Sequence, residues 1–261
     1  MKKKTVKQKK RGVSKETRKS ISESGRKRDS KKQFLVRAAT GLILIVFFCA
    51  ILFLFPPFAL SIFMGTALAT VLIVEWPRLF PCTKRKKKCC IGKISLSGIL
   101  FFVIYPTIPF IFAVLLNQNL EYRRLLFYMA LLVALFDFGS YAFGSLLGKH
   151  KIAPSISPRK TWEGAIGGYL SVTGLLFFFF KRTGTYTTIT GGILILALCI
   201  SALALSGDLF ESFLKRRVGI KDTASFLPEH GGFMDRFDAM LFVIPFFYLF
   251  KEFLGHLFGL I

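Results

Sequence analysis

From Ala38 to Val74 the chain carries no charged residue. That run is long enough for two membrane-crossing helices at about 20 residues each. Pro56-Pro57 interrupts it. Proline lacks an amide donor and pushes the residue before it toward extended backbone, so the turn belongs there. The pattern predicts helices over Thr40–Phe55 and Phe58–Val74. Later apolar runs predict helices over Ile94–Leu116, Leu125–Leu147, Gly164–Phe180, Thr187–Ser206 and Ala239–Phe250, the last running up against Lys251 and Glu252. The fold class is all-α: a polytopic integral membrane protein of about seven transmembrane helices, with room for an eighth or ninth in the longest stretches. Residues 1–36 form a polybasic tail with almost no apolar content, expected to be disordered. Residues 37–130 hold the N-terminal transmembrane helices. Residues 131–261 hold the later helices and the densest polar motif, an expected loop at 206–238.

Composition sharpens this picture. The chain is 53% hydrophobic and 15% aromatic, yet carries 37 Lys and Arg against 14 Asp and Glu, a formal charge of +23. A soluble core cannot bury that much apolar area beside that much charge, so the two are segregated along the sequence. This excludes a disordered chain, a fibre and an ordinary soluble enzyme. Sixteen cations lie at or before Arg37, seven between Arg78 and Lys93, four between Lys149 and Lys160, and five between Lys215 and Arg236. The intervening loops hold only Arg123, Arg124, Lys181 and Arg182. Cations stay on the cytoplasmic side, so the N-terminus and the richer loops are expected inside, in a bacterial inner membrane, and seven spans put the C-terminus outside. The basic arm suits an anionic lipid surface. It lacks the aromatic interleaving of a nucleic-acid binder and the cleavage site of a signal peptide. Cys49, Cys82, Cys89, Cys90 and Cys199 show no zinc spacing and read as reduced thiols, with Cys89-Cys90 a juxtamembrane acylation candidate.

Two cytoplasmic segments exceed what topology requires. The first starts with Asp137, an acid within an apolar helix, which must have a partner or line a wet cavity. It continues to Ser157-Pro158-Arg159-Lys160-Thr161, two cations and two hydroxyls on an expected proline-stiffened turn, which is an inventory for phosphate. Gly144, Gly148, Gly164 and Gly168, spaced four apart in pairs, indicate close helix packing. In the second segment Asp208, Glu211, Ser212 and Lys215 share one helical face. Gly231-Gly232 permits amides to cup an anion. Asp235 and Asp238 share a face at the start of the last helix, with Arg236 between them. With Asp208 they would form a hard-oxygen cluster suited to Mg2+ when phosphates complete its shell. Carboxylates, cations and shaped amides together suit phosphoryl or nucleotidyl transfer.

The order Ser212, Lys215-Arg216, Lys221-Asp222, His230-Gly231-Gly232, Asp235-Arg236, Asp238 resembles, position for position, the signature of the phosphatidate cytidylyltransferase (CDP-diacylglycerol synthase) family. Gly207-Asp208, Asp137 and the Ser157–Gly164 run look like that family's preceding elements. Arg159 stands where the family often has Lys, and the basic arm is long. The resemblance implies that CTP and phosphatidate become CDP-diacylglycerol and pyrophosphate. It implies Mg2+, with room for a second cation, held by Asp208, Asp235 and Asp238. Lys215, Arg216, Lys221 and Arg236 would then neutralise phosphates, while Asp222 and His230 complete the catalytic set, His230 as a donor or as part of the glycine turn. Asp137, Ser157, Arg159, Lys160, Thr161, Ser212, Gly231 and Gly232 would bind substrate, with Arg159 and Lys160 meeting either the lipid phosphate or the triphosphate tail. Partners on this reading are CTP, phosphatidate and membrane lipid, a homodimer being allowed and nucleic acid not expected. The nearest alternative is a CTP-dependent polyprenol or phytol kinase. Of other classes, an ion-coupled transporter would use Asp137 and the acids for a translocated ion, and a scaffold would leave them unexplained.

Overall fold

A computed structural model describes residues 46, 48–76, 103–183, 186–220, 223 and 232–260. The basic arm, the seven-cation loop with Cys82, Cys89 and Cys90, the first part of the Ile94–Leu116 run, and Lys221, Asp222, His230 and Gly231 lie outside the described residues. Residues 49–54 are helical and end at Pro56. Helix α1 (Pro57–Thr70) starts with proline in its first turn, where a missing amide costs nothing, and runs on through a π-helical stretch, Val71–Glu75. A second π-helical stretch, Val103–Thr107, contains Pro106 and leads into α2 (Ile108–Gln118). Asn119 alone separates it from α3 (Leu120–Leu147). A two-stranded antiparallel hairpin follows, β1 (Lys151–Ala153) and β2 (Ser157–Thr161). Helices α4 (Trp162–Thr183), α5 (Tyr186–Arg217), α6 (Met234–Leu249) and α7 (Lys251–Leu257) complete the chain.

From Cys49 onward the residues form one packed unit. Helix α3 lies along α4, α4 along α5, and α5 along α6; α2 joins α1 to α6, and the hairpin rests on α3, α4 and α5. The core is aliphatic and aromatic, with Phe136, Phe180 and Phe247 fully enclosed. Outward faces are apolar as well: Leu54, Ile73, Phe138 and Leu146 are all largely exposed. An apolar exterior of this extent suits lipid rather than water. Pro57–Glu75, Leu120–Leu147, Trp162–Lys181 and Gly191–Arg217 are each long and apolar enough to cross a membrane, while Ile104–Gln118 and α6 are shorter.

Three expectations need correction. The Ser-Pro-Arg-Lys-Thr run is a strand, not a turn, so the fold is helical with one small hairpin; Pro158 is tolerated because both strands of a two-stranded ribbon are edges. The expected loop at 206–238 starts later than its bounds: α5 runs on to Arg217, as the helical face of Asp208, Glu211, Ser212 and Lys215 implied. Glu211 and Lys215 pair along the helix, which closes at Gly219, whose positive φ of 75° shapes a cap in which Ile220 N–H reaches the Lys215 carbonyl. Finally, Arg123 and Arg124 belong to α3 rather than to a loop. The buried Arg123 guanidinium donates to the carbonyls of Ile51 (2.9 Å) and Phe55 (2.7 Å), where the preceding helix stops ahead of Pro56. Lys251, expected to interrupt the last span, does so: α6 ends at Leu249, and the Lys251 ammonium sits 5.1 Å from the Tyr122 ring centre and 5.0 Å from that of Tyr248. Arg123→Leu removes both hydrogen bonds in an apolar setting, and it should destabilise the fold by about 1–3 kcal/mol, read as a lower thermal midpoint in detergent.

Candidate active site

The site starts with glycine. A Cβ on Gly164 would stand 2.7 Å from the Ser140 carbonyl oxygen and 3.2 Å from Gly144 Cα, so α3 and α4 cross there with backbones in contact. The expected packing role of these glycines is what the structure displays. Thr161, buried before α4, accepts the Gly164 N–H through its hydroxyl at 3.2 Å and caps that helix. At the other end of the hairpin base, Glu163 accepts the His150 backbone N–H at 3.2 Å, and the His150 ring Nδ1 lies 2.6 Å from Glu163 Oε1. The hairpin is thereby clamped to the first turn of α4.

That clamp places β2 beside α5. Asp137, Ser157, Arg159, Lys160, Thr161 and Asp208 all line a single pocket of about 330 Å³ enclosed by the hairpin, α3, α4 and α5. Five of these were expected to bind substrate and the sixth to hold metal, and sequence separations of up to 71 residues are closed there. The Lys160 ammonium forms an ion pair with Asp208. Ser212 Oγ stands 3.5 Å from Asp208 Oδ1, one turn along the same helix. Asp208 also faces α6. A Cβ on Gly207 would stand 2.5 Å from the Asp238 carbonyl oxygen and 3.1 Å from Ala239 Cα, so the two helices touch beside both acids. Asp238 is near enough to Asp208 and Asp137 for the three charges to act on one another, with Lys160 opposing them. The Asp238 Oδ1 also accepts the Ala239 N–H at 2.6 Å.

A second, drier cluster lies one turn further along α5. Lys215 Nζ bridges Glu211 Oε1 (3.2 Å) and Asp235 Oδ1 (2.8 Å), and Glu211 is fully buried. The other Asp235 oxygen accepts the backbone N–H groups of Gly232 (2.8 Å) and Thr223 (3.1 Å). Asp235, expected among the metal ligands, thus has its carboxylate engaged by a lysine and two amides. Burial alone pushes its carboxyl up, but contacts with Glu211, the Gly232 amide and Lys215 outweigh this and hold it below the usual carboxylate range. Arg216, expected to meet phosphate, donates to the carbonyls of Ile156 in the hairpin turn and Ile220, each at 3.2 Å. Arg236 is exposed beside the acids. Among the described residues no three His, Cys, Asp or Glu side chains converge closely enough to hold a metal ion.

Just after Gly232 the backbone cups a carboxylate of the protein itself: Glu75, at the end of the π-helical stretch, accepts the N–H of Phe233 at 2.6 Å and of Met234 at 2.8 Å. Sequence reasoning passed over Glu75, whose one signal was that it closes the longest uncharged run. Glu211 was placed on the right face but given no role; its i, i+4 relation to Lys215 was the available signal. Because Asp235 is held below its unfolded value, its stabilisation is present above about pH 3.9 and fades as pH falls through the folded value. Asp235→Asn should therefore lower the thermal midpoint at neutral pH, and the gap to the unsubstituted protein should narrow in scans below about pH 4.

Comparison with known proteins places the chain in a family. Residues 93–254 match the model of the Cytidylyltransferase family. A Haemophilus influenzae protein named phosphatidate cytidylyltransferase is 37% identical over 166 residues, which is 59% of this chain and 57% of that protein. Proteins of the same name from Staphylococcus haemolyticus and Staphylococcus aureus (strain COL) are 37% and 39% identical over 158 residues, 60% of this chain and 55% of theirs. The chain spans a little over half the length of these curated relatives. The matched residues include both helices that carry the paired acids, the hairpin and the crossing of α3 with α4, and on that ground the chain belongs to the cytidylyltransferase family.

Proposed function

We propose that this chain transfers the cytidylyl group of CTP to phosphatidate, forming CDP-diacylglycerol and pyrophosphate at the cytoplasmic face of the membrane. The observation that carries this reading is the Lys160–Asp208 pair on the wall of the hairpin pocket, where cations and hydroxyls of β2 meet acids at the ends of apolar helices. A soluble nucleotide and a lipid headgroup both have access to such a place, while acyl chains remain against the outward apolar faces. A phosphate oxygen of phosphatidate attacks the α phosphorus of CTP. The bond from that phosphorus to the bridging oxygen of the β phosphate breaks, and pyrophosphate leaves with the electron pair. The attacking phosphate is already ionised, so no general base is required. Arg159 and Lys160 orient phosphates from the hairpin side, and Arg236 from the α6 side. Lys215 is kept in place by Glu211 and Asp235.

The donor chemistry fits Mg2+ at Asp208 and Asp238, hard oxygens on two touching helices, with substrate phosphates and water completing the shell. Asp235 fits less well, since its oxygens already accept from Lys215, Gly232 and Thr223. Bound Mg2+ would supply charge neutralisation at the transferring and leaving phosphates. A second cation belongs to the same reading.

Purified protein given phosphatidate and α-labelled CTP should convert the label to a lipid-soluble product with release of pyrophosphate, and chelation of divalent ions should stop it. Release of CDP would turn the reading toward a lipid kinase. Asp238→Asn should lower turnover by at least about 10²-fold with the melting midpoint nearly unchanged; a large melting drop would make the residue structural. For orientation, a cysteine introduced as His150→Cys in a background without other cysteines should react with a membrane-impermeant maleimide in inside-out vesicles and not in intact cells.

A further inference from the structure

We infer that Glu75 is a positioning residue for the cytidylyl transfer proposed above: its buried carboxylate fixes the start of α6 and, through it, the placement of Asp235 and Asp238 against α5. The inference rests on that reading for its catalytic part and on geometry alone for its structural part.

Glu75 is fully enclosed at the end of an apolar helix, where a carboxylate is unfavourable unless donors satisfy it. Its donors among the described residues come from one distant segment: the Phe233 N–H at 2.6 Å, the Met234 N–H at 2.8 Å and the Thr223 hydroxyl at 3.0 Å. The two amides are among those that the first turn of a helix leaves without internal partners, and a negative charge there opposes the positive end of the helix dipole. The neighbouring backbone is shaped to admit the carboxylate. A Cβ on Gly232 would stand 2.5 Å from Glu75 Oε1 and 2.6 Å from its Cδ, so only glycine lets the group seat. Gly232 lacks the positive φ found at Gly219 and Gly259, so close approach rather than an unusual backbone is what selects glycine here.

Glu75 and Asp235 share this segment. The Thr223 hydroxyl lies 3.0 Å from Glu75 Oε2 and 3.1 Å from Asp235 Oδ2, and its single proton serves one of them at a time. Asp235 grips Lys215 on α5, and Asp238 follows three residues on, where α6 touches Gly207 beside Asp208. A shift of the first turn of α6 would therefore displace both acids relative to α5. Displacements of about 1 Å in reacting groups can cost on the order of 10²-fold in rate. Glu75 precedes the family-matched residues 93–254, so this support comes from the N-terminal helices.

The test uses full-length protein in lipid-detergent micelles, comparing Glu75→Gln and Thr223→Val with the unsubstituted chain. Glu75→Gln keeps the shape but leaves one oxygen where two accepted. Its kcat should fall by roughly 10²-fold while KM for CTP and for phosphatidate changes by less than about threefold. Thr223→Val should shift kcat in the same direction by a smaller factor. Independently of activity, hydrogen exchange in peptides spanning residues 233–238 should quicken by about tenfold, with peptides of α3 and α4 unchanged. Unaltered kcat together with unaltered exchange would falsify the inference, and so would a rise in KM for CTP at constant kcat. Should Glu75→Gln fail to fold, Thr223→Val decides by the same two readouts. If the unsubstituted chain forms no CDP-diacylglycerol, the proposed function fails, and the exchange comparison alone upholds or overturns the placement of α6.

Discussion

A charged group held among apolar helices must be matched by donors or by an opposite charge, and here that requirement determines which helices touch and where. Lys215 draws Glu211 and Asp235 together and so ties α5 to the start of α6. Lys160 does the same between the hairpin and α5. Glu75 ties α1 to the start of α6, and Arg123 ties α3 to the helix ahead of Pro56. Apolar packing alone would let these helices slide or rotate on one another, since lipid tails are as good a partner as another leucine. These contacts remove that freedom, Arg123 near the start of α3 and the others toward its hairpin end.

Two clusters of different character result. The pocket side, with Lys160, Asp208 and Asp137, is open and has only partial internal pairing. The inner side, with Lys215, Glu211, Asp235 and Glu75, is enclosed and heavily bonded. The expected site residues therefore fall into two groups: some line the pocket, and others are bonded to one another beside it. Asp235 illustrates the division, because a carboxylate accepting from a lysine and two amides has little left for a metal, while Asp238, one turn on, faces Asp208.

Much of this was legible beforehand, for identifiable reasons. Hydropathy marks the apolar runs because a span needs an unbroken length of them, and helices occupy the described part of each. The shared face of Asp208, Glu211, Ser212 and Lys215 follows from helical spacing and holds in the structure. The hairpin escaped because Ser-Pro-Arg-Lys-Thr is rich in turn formers, and only its seating on three helices makes it a strand. Hydropathy alone ends the α5 span at Ser206, while the helical spacing of Asp208 to Lys215 carries the helix on, since a charge pair along a helix supports it. Glu75 was out of reach: its partners are backbone amides as far as 159 residues away, and amides leave no mark in a sequence.

The Lys160–Asp208 pair carries a thermodynamic consequence. An incoming anion can take Lys160 only by leaving Asp208 without its counter-ion, and a cation can take Asp208 only by releasing Lys160. Each arrival thus prepares the protein for the other, so their affinities are linked with equal strength in both directions. An anion that comes with its own cation meets both demands at once, and the resting pair disfavours either ion arriving alone.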